Sequence, residues 1–232
     1  MKKIIAIALS VCIVGVMMSG CRLFPSREVD YGDLSSGVAE YRTKAESEIE
    51  NEIKDEQQYE KGIMTETGFE SEFVGVKFAI PEGFVMATEE EISKFMDIGA
   101  DALGVDGKIV DYAKLSTVYE MVASAPSGKP NVSVIVEKLS LSNVTEEQYM
   151  TAAKTQMLAL TNADYELVDE SEEEIAGQTY KKLIFNVDLA GMKLMQNYLA
   201  RKVNERMVVF TVTYTAETKD EIETLMKSFT KY

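Results

Sequence analysis

Histidine and tryptophan are both absent from the 232 residues. Without histidine there is no Ser-His-Asp triad, no Cys-His nucleophile, no His-held zinc and no haem on a proximal histidine. Without tryptophan there is no indole cage or stacking platform. Cysteine occurs twice, at Cys12 and Cys21. Positive charge is scarce: 24 Lys and Arg face 39 Asp and Glu, for a formal charge of −15. Nucleic-acid binding depends on Lys and Arg meeting phosphates, so this balance excludes it as a partner class. It also disfavours a protein body lying flat on anionic lipid. No phosphate-cradling Gly-rich motif occurs. Beyond Cys21 the methionines are scattered from Met64 to Met226, mostly on apolar stripes, whereas soft-metal sites need them clustered.

What is present begins at the N-terminus. Lys2 and Lys3 form a positive head, Ile4 to Met17 is nearly all apolar, and Met18-Ser19-Gly20-Cys21 follows. That is the layout of a secretory signal with a small-residue cleavage site. The run is short for a membrane-spanning helix, which needs about 20 apolar residues. Its end resembles the bacterial lipobox, with Met18 where Leu is usual. The resemblance implies that the Cys21 thiol takes a diacylglycerol and becomes the new N-terminus. Residues 1–20 are then the signal peptide, and 22 basic residues against 39 acidic ones give the remainder a charge of −17. Several acyl chains on Cys21 would hold the protein to the membrane at its extracytoplasmic face. Cys12 leaves with the signal and Cys21 is consumed, so no disulfide can form.

Residues 21–69 read as the lipidated N-terminus and an acidic tether. Eleven acids lie between Glu28 and Glu60, opposed only by Arg42, Lys44 and Lys54. Val38, Tyr41, Ala45, Ile49 and Ile53 give one thin apolar stripe. A solvated stalk and a docking helix both fit; the narrow stripe favours the stalk.

Residues 70–232 read as one α+β domain: a single antiparallel sheet of about seven strands with helices packed on it. Val74, Val76, Phe78 and Ile80 alternate as a strand that ends at Pro81-Glu82-Gly83. Thr88-Glu89-Glu90-Glu91 is a capping box opening a helix through Ile92, Phe95, Met96 and Leu103. Strands at 117–124 and 132–139 flank Ser127-Gly128-Lys129-Pro130. Thr145-Glu146-Glu147-Gln148 opens a second helix with Tyr149, Ala153 and Met157 on one side. A meander follows: 165–168, a turn through Glu172–Glu174, then 180–189, 193–203 and 206–215. These connections are too short for parallel crossovers. Thr218-Lys219-Asp220-Glu221 is a third box, and Ile222, Leu225, Met226 and Phe229 set the stripe of a last helix.

The order of strand, Pro-x-Gly-aromatic turn, capped helix, hairpin, capped helix, meander and terminal helix resembles the PsbP-like fold. Phe78-Ala79-Ile80-Pro81-Glu82-Gly83-Phe84, Tyr119-Glu120-Met121-Val122-Ala123 and Phe210-Thr211-Val212-Thr213-Tyr214 carry the likeness. More closely, the chain is similar to small lipoproteins of Gram-positive anaerobes with no assigned activity. No catalytic residues are shared across that fold. The resemblance implies an α/β/α sandwich and a non-enzymatic binding or assembly role, without a cofactor.

The chemistry left to weigh is sparse. Glu89-Glu90-Glu91 suits a helix N-terminus. Asp97, Asp101, Asp106 and Asp111 lie in a Gly-containing stretch, but lack the ligand spacing of an EF-hand loop. The expectation is a membrane-anchored surface lipoprotein whose domain binds an envelope protein or ligand. The alternative is a solute- or cation-binding lipoprotein serving a transporter. Tyr198, placed on an outward face of the 193–203 strand, is the candidate binding aromatic.

Overall fold

The computed structural model describes residues 59–94, 117–139 and 143–232. Cys21, the tether as far as residue 58 and the four aspartates Asp97, Asp101, Asp106 and Asp111 lie outside the described residues. From Lys61 onward the described residues belong to one compact unit. Among the described residues no helix is long and apolar enough to cross a membrane.

The centre is a seven-stranded antiparallel sheet. Its strands are β4 (Val85–Met86), β5 (Thr117–Ser124), β6 (Asn131–Lys138), β7 (Asp164–Ile175), β8 (Gln178–Leu189), β9 (Met192–Val203) and β10 (Arg206–Tyr214), in the order β4-β5-β6-β10-β9-β8-β7. Three hairpins, β7–β8, β8–β9 and β9–β10, turn on residue pairs whose first member has positive φ: Ala176, Ala190 and Asn204. Tight turns of this kind match the strand twist and fix register.

A smaller antiparallel sheet was not expected. Its strands are β1 (Ile63–Thr65), β2 (Gly68–Ser71), β3 (Val76–Ala79) and β11 (Phe229–Lys231). The residues read as the end of the tether therefore supply two strands, and the expected boundary at 70 falls inside β2. Phe69 is fully buried. Gly68 is fixed by close approach: a Cβ there would sit 1.8 Å from the Phe78 carbonyl oxygen.

Two further expectations are corrected. Glu172–Glu174 is not a turn but the continuation of β7; the turn is Ala176-Gly177. Phe229 is not on the last helix. That helix, α2 (Lys219–Lys227; α1 is Glu146–Leu158), ends before it, and Phe229 pairs with Phe78 across β11 and β3 with ring centroids 4.6 Å apart.

The capping boxes hold at two of three sites. Thr88 and Glu91 exchange hydrogen bonds of 2.8 and 3.3 Å, and Thr145 and Gln148 bonds of 3.0 and 3.2 Å. Thr218 does not cap with its side chain. It serves instead as the third residue after Thr215, accepting the Thr215 N–H at 3.0 Å.

The register sorts the central sheet into two faces. Ile135, Val209, Ala200, Leu183, Phe185 and Val187 lie on the inner face, where α1 packs through Tyr149, Met150, Ala153 and Met157. Val134, Val136, Val208, Phe210 and Val212 lie on the outer face. There Phe210 meets Phe229 edge-on at 5.2 Å, and the Arg201 guanidinium donates to the Val74 carbonyl.

Candidate functional site

Tyr198 pairs with Thr211 on β10 and Leu183 on β8, and this register turns it inward, under α1. It is 2% exposed. The expectation of an outward, binding aromatic is therefore corrected: strand alternation was read one residue out of phase, and Asn197 is the outward neighbour. The Tyr198 ring stacks on Tyr149 of α1, with centroids 6.5 Å apart.

Tyr198 instead belongs to a buried polar chain that sequence reading missed. The Tyr149 hydroxyl donates to Glu137 Oε2 at 2.7 Å and lies 2.8 Å from the Tyr198 hydroxyl. A phenol has one proton, so Tyr198 donates to Tyr149 and Tyr149 to Glu137. Burial pushes the Glu137 carboxyl up to about 7, with the Tyr149 hydrogen bond pulling the other way. Burial also raises both phenols well above the ordinary tyrosine range. The chain can hold a proton near neutrality, but Glu137, Tyr149 and Tyr198 are all at most 2% exposed, so no ligand meets them at the surface.

Uncharged polar groups share this inner face. Ser124, Asn131, Ser133, Gln196, Thr211 and Thr213 lie in two adjoining rows across β5, β6, β10 and β9, and all are buried. Gln196 donates to Thr213 at 3.2 Å and accepts from Tyr165 at 3.2 Å. Asn131 donates to the Gly128 carbonyl, while its own Oδ1 has no partner among the described residues.

On the outer face, the small sheet and α2 leave a groove of about 460 Å³ beside β7. Ile175, Val212, Tyr214, Ile222 and Phe229 form an apolar floor, and Glu173, Lys182, Lys219 and Lys227 stand among the charges at its rim. Lys182 pairs with Glu173 at 2.5 Å, and Tyr214 donates to Asn197 at 3.4 Å. An apolar floor with a few oriented polar groups is the usual form of a recognition groove. A second crevice, of about 590 Å³, lies between the other ends of β7, β8 and β9, where Lys193 pairs with Asp188 at 2.5 Å. Among the described residues no cluster of three or more acids is arranged to hold a metal ion.

No family model matches the chain, and no curated protein matches it. Among solved structures it is similar to cyanobacterial PsbP from Synechocystis, at 15% identity and a TM-score of 0.43, over 76% of this chain and 99% of that one. It is similar to LpqN of Mycobacterium tuberculosis, described as involved in cell envelope biogenesis, at 13% identity and a TM-score of 0.38, over 66% and 76% of the two chains. A protein of unknown function from Pseudomonas aeruginosa, PA94, a putative regulator by its description, aligns at 16% identity and a TM-score of 0.35, over 48% and 75%.

Proposed function

We propose that this chain is a lipid-anchored module of the extracytoplasmic membrane face that acts by binding an envelope protein, without catalysis. The observation that carries the binding part is the groove beside β7. Its floor is apolar, its rim bears both charges, and it is built on a sheet and a helix rather than on loops. Recognition sites need such rigid apolar ground with polar groups around it. Cys21 at the end of the lipobox-like segment supports the anchoring part. The acidic balance supports attachment through acyl chains rather than through the protein body.

Fractionation of cells tests the anchoring. The protein should sediment with membranes, and Cys21→Ser should move it to the soluble fraction. Equal sedimentation of both forms would refute the anchor.

Capture of a small solute for a transporter is the competing reading, favoured by the buried row of uncharged hydrogen-bonding groups around Asn131. Stabilisation by a neutral polar solute, abolished by Thr211→Val but unaffected by changes in the groove, would favour it.

A further inference from the structure

We propose that the outer edge of β7 is a strand-addition site for an extended peptide segment carrying Lys or Arg at alternate positions. The inference deepens the binding-module reading and rests on it. Among the described residues β7 is the longest open edge; β4 covers only Ala123 and Ser124 of β5, which leaves a shorter open stretch there. The opposite edge of the large sheet, β4, has two residues, and the edges of the small sheet, β1 and β11, have three each. Short edge strands are a usual protection against unwanted pairing; β7, with twelve residues, lacks it.

The hairpin geometry says which groups are free. Ile175 and Gln178 close the two-residue turn, and such a pair exchanges both of its hydrogen bonds. Bonded and non-bonded pairs then alternate, so the main-chain N–H and C=O of Glu174, Glu172 and Glu170 point away from β8. This register runs unbroken from Asp169 to Ile175; the irregularity lies at Val168. No strand pairs with that side among the described residues.

Charge then selects the occupant. Seven of the twelve β7 residues are Asp or Glu. Glu170, Glu172 and Glu173 already pair with Lys154, Lys181 and Lys182. Glu166, Asp169 and Glu174 have no ion pair among the described residues. A second copy of β7 would set acid against acid across the new ladder, which disfavours self-pairing, whereas a basic strand meets opposite charge at the same positions. The groove begins at Glu173, Glu174 and Ile175 on the same strand and at Ala176 in the turn after it, so an apolar residue flanking the added segment finds a place to lodge. Main-chain bonds for affinity and side-chain pockets for specificity are the two parts of strand addition.

The test uses the full chain carrying Cys21→Ser and three capped ten-residue peptides. One alternates Lys with Val, one alternates Glu with Val, and one is the Lys peptide N-methylated at every second residue. Amide exchange followed by NMR should slow at Glu170, Glu172 and Glu174 with the Lys peptide alone. Glu172→Pro removes an outward N–H and no internal ladder bond; it should weaken the Lys peptide about tenfold, the equivalent of one hydrogen bond. No protection by the Lys peptide would overturn the proposal. So would equal binding of the N-methylated peptide, which marks contact by charge alone, or equal binding to Glu172→Pro. Cross-linking of a partner from the groove in cells, together with any of these results, would leave the module reading standing and remove only the β7 site.

Discussion

Glu137→Gln should stabilise the domain, and the gain should appear only as pH rises. Glu137 is 1% exposed, and among the described residues its carboxylate accepts from the Tyr149 hydroxyl. Its folded value is about 7 against an ordinary 4.5. An acid held above its unfolded value binds its proton more tightly in the folded state. The contribution of Glu137 to stability is therefore greatest below pH 4.5, falls as pH rises towards 7, and levels off beyond. Two and a half units at about 1.4 kcal/mol each make the full penalty about 3 kcal/mol. Glutamine keeps the shape and a carbonyl for Tyr149 without the charge. Urea unfolding of both forms between pH 5 and 8.5 should give a variant more stable by about 1 kcal/mol at pH 5 and by about 3 kcal/mol at pH 8.5. A difference that stays flat over that range would refute the buried, proton-holding carboxyl.

Tyr198→Ala should destabilise by about 3–5 kcal/mol, as large aromatic deletions in cores do, and Tyr198→Phe by about 1 kcal/mol through loss of the bond to Tyr149; thermal unfolding measures both. Thr145→Ala should cost about 1 kcal/mol by opening the cap of α1, read from urea midpoints. A chain beginning at Lys61 should keep a cooperative thermal transition, whereas one beginning at Glu72 should lose it, because β2 and the buried Phe69 go with the deleted segment.

Much of the fold was legible because its signals are local. Val208, Phe210 and Val212 alternate, Thr88 and Thr145 announce their helices, and short polar turns force antiparallel neighbours. The small sheet was hidden because β1 and β2 have only three and four residues and follow an acidic stretch. What makes them strands is tertiary: the fit of Gly68 against Phe78 and the pocket for Phe69. Phe229 matched the period of α2, but its partner Phe78 lies far away in sequence and pulls it into β11. The acid run Glu172–Glu174 looks like a turn by composition. It is a strand because the Ala176-Gly177 turn and the lysines of β8 hold it there.

The site was less legible for the same reason. Strand alternation tells which residues share a face but not which face is buried, so Tyr198 was placed outward. No spacing rule joins Glu137 to Tyr149 on α1 and Tyr198 on β9. Register and helix docking bring them together, and the groove likewise needs β7, β9, β10 and α2 at once.

The central claim is that the domain binds an envelope protein through the groove while anchored by Cys21. A photo-reactive residue placed at Lys219, on the groove rim, in intact cells tests it most directly, with the same residue at exposed Glu147 on α1 as the control. The account predicts a discrete adduct with one membrane-associated protein from position 219 and none from 147, lost when Cys21→Ser frees the chain. Equal labelling from both positions, or no adduct from 219 while the protein sits in the membrane fraction, would contradict it.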